Sequence, residues 1–513
     1  MQTEVLIVGA GPSGLVLALW LTRLGVRVRI IDRAPQSGMA SRAFALQART
    51  LELYDQMGLA QDALARGAPV TSFGVHRRGK PPLRAPFGDF GRGLSPFPFV
   101  LILLQDDHEK LLIAHLAQTG VQVERGVELV DLEDLGDRVS GRLKGPGNAD
   151  TTCEADFVCG CDGAASVVRE LMHISFPGGA SEEIFYVANI EATGALVDGG
   201  LHYLMAGDDV CSVFPLKGKG RVRLIGLVPK SVRSNQVQFD FDDVIAPFQR
   251  ASDLEVTLVE SFTSYRVHRR IADQWRKGRV FLLGDASHVH SPAGGQGLNA
   301  GIGDAVNLAW KLGAVLKGAA SANLLDTYQD ERIRAARQIA ATTERGFVLQ
   351  ARRGRLMGWV RERLISLAPR LLSLRPFRRM AFRTIAQLAV HYRGAEACRG
   401  RAGAIAGGDR LPWAQIEGDA SNHAALRDMA WQVQIFGEAS APLSAACARW
   451  NLPLRVFDWT AKARKAGFTR DAAYLVRPDG YVALASPAQN PAAIQALLDR
   501  YGILTPRPTP GEM

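Results

Sequence analysis

Residues 4–32 read EVLIVGAGPSGLVLALWLTRLGVRVRIID. A short apolar, β-leaning run over 4–8 meets Gly9-Ala10-Gly11-Pro12-Ser13-Gly14 without a break. Residues 15–24 are then apolar apart from Thr22 and Arg23, as a buried helix requires, and Gly25 ends the helix. Residues 26–31 read as a second strand that closes on Asp32. The unit is strand, glycine turn, helix, strand, acid. Gly9 permits the tight turn, Gly11 lets backbone approach a pyrophosphate, and Gly14 lets helix and strand pack closely. The free N–H groups and dipole at the helix start favour phosphates. Asp32 can accept hydrogen bonds from a ribose diol. That points away from a 2′-phosphate but does not separate NAD from FAD.

Working outward, 513 residues with a 47% hydrophobic share suffice for several packed domains. The net charge of +10 would fit nucleic acid, a membrane surface or acidic ligands, but it is unevenly placed. Residues 345–393 hold twelve arginines and one acid, Glu362, and the remainder is close to neutral. No nucleic-acid partner is expected. Six scattered cysteines form no C-x-x-C pair and no zinc spacing. They read as buried free thiols of a reducing, cytoplasmic compartment. No basic leader is seen, and no apolar run is long enough to span a membrane.

Two distant motifs extend the reading. CGCDGAASVVR over 159–169 follows the apolar pair 157–158 and leads into a short helix. GDASHVHSPAGGQGLN over 284–299 follows the buried strand 278–283 and precedes a helical run over 300–316. Asp285 thus stands at the carboxyl end of a strand, where open α/β sheets bind ligands. Gly294, Gly295 and Gly297 open the next helix. His288 and His290 lack the further ligands a metal would need. They remain either acid–base groups or loop histidines hydrogen-bonded beside a cofactor.

With these three motifs in order, the chain resembles the single-component flavoprotein hydroxylases of the para-hydroxybenzoate hydroxylase type over roughly its first 340 residues. The resemblance implies FAD, with NAD(P)H binding transiently over the flavin. Gly9, Gly11 and Gly14 would hold the pyrophosphate and Asp32 the adenosine ribose, although the family usually has Glu there. Arg33 and Arg42 would lie along the cofactor, with Arg42 near the mobile flavin and the one catalytic candidate. Gln105, in Gln105-x-x-x-Glu109, would contact FAD. Asp162 and Gly163 belong to a motif linked to both FAD and NAD(P)H. Asp285 would bind the ribityl or pyrophosphate part. Pro292, Gly295, Gly297, Leu298 and Asn299 would face the flavin ring. The implied reaction is hydroxylation of an aromatic, phenolic or polyketide substrate through a C4a-hydroperoxyflavin. It requires stabilised charge at the flavin, exclusion of water and help in deprotonating the phenol.

The expected class is α/β. A discontinuous FAD-binding Rossmann-like domain covers 1–72, 100–180 and 270–345, and a β-sheet substrate domain covers 73–99 and 181–269. A basic helical connector over 346–394 leads to a thioredoxin-like C-terminal domain over 395–513. Strands are expected at 185–190, 210–215, 222–227 and 256–265, with 87–104 as a pocket wall or lid. His202, Tyr203, Tyr265 and His268 are candidates for ring contact or proton handling. The connector reads as a solvated, partner-facing helical face or as an interfacial membrane helix. Residues 403–412 read as a linker, 431–436, 454–457 and 473–484 as strands, and 488–501 as a helix. Arg477-Pro478-Asp479-Gly480 resembles a hairpin of the thioredoxin-like domain in phenol-, hydroxyphenylpropionate- and polyketide-type hydroxylases. The tail 505–513 reads as disordered. Assembly is open between monomer and homodimer. Three alternatives compete: an FAD-binding protein without catalysis, epoxidation on the same scaffold, and a flavin halogenase. The W-x-W-x-I-P signature of halogenases is absent.

Overall fold

Val5, Leu6 and Ile7 are wholly buried, so the strand Gln2–Val8 has neighbours on both faces and lies inside a parallel sheet. It pairs in parallel with Asp150–Gly160 on one side and Val28–Asp32 on the other. Val280–Leu282 and Val123–Arg125 extend the sheet in parallel on the two sides, and Arg276–Lys277 adds an antiparallel edge beyond Val280–Leu282. The hairpin Glu128–Asp134 and Val139–Lys144 adds antiparallel strands to Asp150–Gly160. Helices Pro12–Arg23 and Gly297–Leu316 cover this sheet, and their apolar faces are almost fully buried.

The structure is a computed structural model that describes residues 2–37, 44–77, 80–86, 90–206, 209–229, 239–249, 252–290, 295–351, 374–418 and 420–503, with 232, 363, 367, 370 and 371 as single positions. A second sheet of eight strands runs His288–Val289, Glu255–Ile271, Gly178–Thr193, Arg221–Leu227, Asp209–Pro215, Leu201–Ala206, Ser72–Arg77, Lys80–Pro86. The strands expected in this region all form, and most run longer than the apolar stretches that marked them. His288–Val289 joins its edge through Arg270 and Ile271. The loop leaving the parallel sheet at Gly284 therefore enters the second sheet within four residues, which fixes the two sheets against each other.

A third sheet of six strands carries the C-terminal region. Its strands Gln432–Phe436 and Leu454–Phe457 and its helix Pro491–Arg500 match the expected elements, whereas the single strand expected at 473–484 is two antiparallel strands, Ala473–Val476 and Val482–Ser486, turned at 477–481. Residues 403–412 are not a linker. Arg399–Ala402 pairs with Val482–Ser486, and Ile405–Ala406 turns back onto Arg399–Ala402. Gly407 packs so closely that a Cβ would overlap the Arg399 backbone, so its glycine marks strand contact, not flexibility. Within the basic connector, the helix Asp326–Ala351 runs into its start and Arg375–Ile385 forms a helix, whereas 386–394 is irregular. The tail 505–513 lies outside the described residues. All six cysteines are buried and unpaired. No helix among the described residues is long and apolar enough to cross a membrane.

Candidate functional site

Gly9 ends the first strand at φ +104°, and a Cβ there would overlap the carbonyl of Cys161. Only glycine lets the first strand and the 159–163 motif come this close. Gly14 lies beneath, where a Cβ would strike the Gly9 carbonyl. Gly11 is different. It caps the helix at ordinary angles, φ −77° and ψ −179°, and a Cβ on it would have no protein atom within 4 Å. Gly163, at φ +80°, likewise has no protein atom within 4 Å of the place its Cβ would occupy. Both face a groove lined by Gly9, Asp32, Arg33, Gln105 and Asp162. The Asp32 carboxylate accepts from the amides of Ala10 at 2.7 Å and Ala34 at 2.8 Å, which fixes it at the groove. Asp162 accepts from Ser166 Oγ at 2.6 Å and the Val168 amide at 3.1 Å, and burial raises its pKa. Gln105 donates to Glu109 at 2.8 Å across one helical turn.

The 284–304 corner has a different character. Asp285 is exposed in the turn Gly284–Ala286, directly beyond strand Val280–Leu282. His288 is buried, stacks on Trp275 at 5.0 Å and bonds through Nε2 to Asp304 at 2.8 Å. Asp304 also accepts from the Gly284 amide at 3.0 Å and from Arg332 Nε at 2.7 Å. Burial opposes its charge, but Arg332 and His288 outweigh that and hold its pKa below the usual range. His288 is thus a pinned member of an ion-paired cluster. Burial, then His288, pushes the His290 pKa down to about 3. Helix Gly297–Leu316 begins with no side-chain cap, so Gly297, Leu298 and Asn299 lie in its open first turn. The Asn299 amide is spent on protein. Its oxygen accepts from Gln47 N at 2.9 Å and Thr50 Oγ at 2.6 Å, and its nitrogen donates to the carbonyls of Ala45 and Gly295, each at 2.8 Å. It braces the turn. Arg42 and Pro292 lie outside the described residues.

Gly295 lines an apolar cavity between the second sheet and the 44–47 segment. Its walls are branched and aromatic, among them Phe185, Phe214, Leu227 and Val100, with Tyr203 and Ser212 as polar marks. Val100 and Ile102 make the expected 87–104 stretch a wall. Tyr265 stacks on Phe185 at 6.1 Å, outside the lining. His202 points to the other side, hydrogen-bonded to Asp198 at 2.7 Å and His76 at 3.0 Å. His268 is exposed. Sequence reading missed Arg223. It is buried, donates to Asn189 at 2.7 Å and lies 5.2 Å from the Phe44 ring that lines the cavity. Burial lowers its pKa to about 10. Its signal was a charge in the middle of the strand Arg221–Leu227, on the same face as Ile225 and Leu227.

Groove, open helix start and apolar cavity fit one long cofactor and an aromatic ligand. Residues 2–343 match the FAD binding domain family. Residues 406–501 match the aromatic-ring hydroxylase C-terminal family.

The chain belongs to the FAD-dependent aromatic-ring hydroxylases.

The hydroxylase is 34% identical over 545 residues to 6-methylpretetramide 4-monooxygenase of Streptomyces rimosus, spanning 99% of this chain and 95% of that one. The solved anhydrotetracycline hydroxylase from Streptomyces rimosus superposes with TM-score 0.78 at 28% identity, over 99% of this chain and 100% of that one. Aklavinone-11 hydroxylase, solved with FAD and aklavinone, superposes with TM-score 0.76 at 26% identity, over 98% and 99%. The hydroxylase is an FAD-dependent monooxygenase of the NAD(P)H-using kind. The fit to FAD also stands on the groove itself, because Gly11 and Gly163 leave open the space their Cβ atoms would occupy.

Proposed function

We propose that this hydroxylase acts on a fused-ring phenol of the polyketide kind, held in the apolar cavity beside Gly295. The observation that carries the reading is the junction at Gly295. It lines the cavity and lies two residues before the uncapped helix start. Substrate space and the backbone amides suited to the flavin thus meet at one point. Ligand sites of this kind are mostly apolar with a few placed polar groups.

Bound FAD supplies hydride acceptance from NAD(P)H and activation of oxygen for transfer to the ring. The chain's own groups do the rest. Gly11, Asp32, Arg33, Gln105, Asp162 and Gly163 hold the adenosine and pyrophosphate end. Asp285, at the strand end, serves the sugar chain between. Gly297 and Leu298 direct backbone N–H groups, and the positive helix end, toward negative charge on the flavin ring. Phe185, Phe214 and Leu227 exclude water from the cavity. Arg223, a cation beside Phe44, favours the phenolate over the phenol. His290, with its pKa pushed down to about 3, stays uncharged at neutral pH and is a poor base. Stimulation of NAD(P)H oxidation by fused-ring and single-ring phenols, compared at equal concentration, tests the reading. Stronger stimulation by single rings sinks the fused-ring claim.

A further inference from the structure

Residues 363–393 contain seven arginines and no acid. Large apolar side chains stand exposed in the same stretch: Leu367, Leu371, Leu374, Phe377 and Met380, the last 62% exposed. Five of the nine large apolar side chains exposed among the described residues thus fall within fourteen positions. Single exposed apolar residues are ordinary, whereas a cluster marks an interaction surface. Phe377 and Met380, three residues apart in the helix Arg375–Ile385, share one outer face of it, and Leu374 stands exposed at its N-cap. In the helix Arg375–Ile385, Arg375, Arg378, Arg379 and Arg383 flank that face.

The opposite face of the helix is anchored in the enzyme. Phe382 is fully buried, 6.5 Å from Phe90, and covers Gly91 so closely that a Cβ there would overlap its ring. Ile385 lines the substrate cavity, and its carbonyl accepts from Gln296 at 2.9 Å. Met380 lies about 8 Å from Ile385 along the axis, at 1.5 Å per residue. Whatever covers the outer face is therefore held next to the cavity.

A second copy of the chain would set arginine against arginine, a repulsive pairing. An anionic lipid surface complements the charge, accepts Leu, Phe and Met at the acyl boundary, and lets arginine side chains reach the headgroups. We propose that the outer face of Arg375–Ile385, continued by Leu371 and Leu374, docks on an anionic bilayer and places the substrate cavity beside it. The inference does not depend on which phenol is hydroxylated.

Flotation of the FAD-loaded full chain with phosphatidylcholine vesicles, with and without phosphatidylglycerol, tests it. The protein is expected to float only with the anionic vesicles and to be released by salt. Arg375→Gln with Arg379→Gln should weaken binding by on the order of fivefold per arginine. Phe377→Ser with Met380→Ser should abolish it. Both double variants should keep FAD, thermal midpoint and phenol-stimulated NAD(P)H oxidation, which separates loss of docking from loss of the hydroxylase reading. Three results overturn the proposal: no flotation with anionic vesicles at low salt, flotation that neither double variant changes, or a dimer that Phe377→Ser with Met380→Ser dissociates while vesicles stay unbound.

Discussion

Replacing Gly11 by alanine separates what the cofactor needs at the turn from what the fold needs. At φ −77° and ψ −179° the position accepts alanine, and no protein atom lies within 4 Å of the new Cβ. As a helix cap, alanine is worse than glycine by roughly 0.5–1 kcal/mol. It also restricts the unfolded chain, which returns about 0.4–1 kcal/mol. The two nearly cancel, so the thermal midpoint of the apoprotein should move by no more than about 2 °C. FAD meets the added methyl directly. A phosphate kept away from one or two backbone amides loses about 1.5–3 kcal/mol for each charge-assisted bond. A loss near 3 kcal/mol weakens binding on the order of 100-fold. Titration of apoprotein with FAD, followed by quenching of flavin fluorescence, reads the affinity, and calorimetry reads the stability. Gly9→Ala is the contrasting case. Its φ of +104° and the Cys161 carbonyl make it destabilising even without cofactor. A Gly11→Ala protein that binds FAD within about threefold of wild type, or that loses as much apoprotein stability as Gly9→Ala, refutes the assignment of the groove.

Other outcomes follow from the same structure. Leu227→Trp fills the cavity and should leave FAD binding intact while abolishing stimulation of NAD(P)H oxidation by fused-ring phenols; unchanged stimulation would place the substrate elsewhere. Arg477 is fully buried, bonded to Glu331 at 2.6 and 2.9 Å and to Asp479 at 2.5 Å. Arg477→Met takes the guanidinium from Asp479 and leaves Glu331 with Lys311 as its cationic partner; it should cost about 3–5 kcal/mol in chemical denaturation, with part regained on adding Glu331→Gln. His108 and His423 are buried with pKa values pushed down to about 3 and about 4, by desolvation first. Both lie below the unfolded value near 6.5, so the unfolded chain binds protons first as pH falls. Their contribution is complete above about pH 6.5 and declines toward pH 3–4 by about 1.4 kcal/mol per unit for each histidine. Denaturation series between pH 7 and pH 5 should show this slope reduced in the His108→Gln protein.

The turn at Gly9–Gly14 and the strand ends at Asp32, Asp162 and Asp285 were legible because each depends on short-range chemistry, glycine spacing beside an apolar run. The hairpin at 477–480 was legible as a turn, but not as the place where Arg477 pairs with Glu331, 146 positions away. Nothing local announces such a partner. His288 was legible as either an acid–base group or a hydrogen-bonded loop histidine, and Asp304 and Arg332, on two later helices, decide for the second. The glycines at 403–408 suggested a linker because sequence alone cannot tell a glycine that bends freely from one pressed against a neighbouring strand. Arg223 was passed over because nothing in the strand at 222–227 tells a buried arginine from an exposed one. Only burial beside Phe44 shows a cation at the cavity.

The most direct test of the central claim is product analysis with isotopically labelled oxygen. Purified FAD-loaded hydroxylase is given NAD(P)H, labelled dioxygen and a set of fused-ring phenols, and products are weighed by mass spectrometry. The expected result is a fused-ring product carrying one labelled oxygen atom, formed in step with NAD(P)H consumption and lost in the Leu227→Trp protein. Consumption of NAD(P)H that ends entirely in hydrogen peroxide with every fused-ring phenol, while a single-ring phenol takes up the label, contradicts the claim.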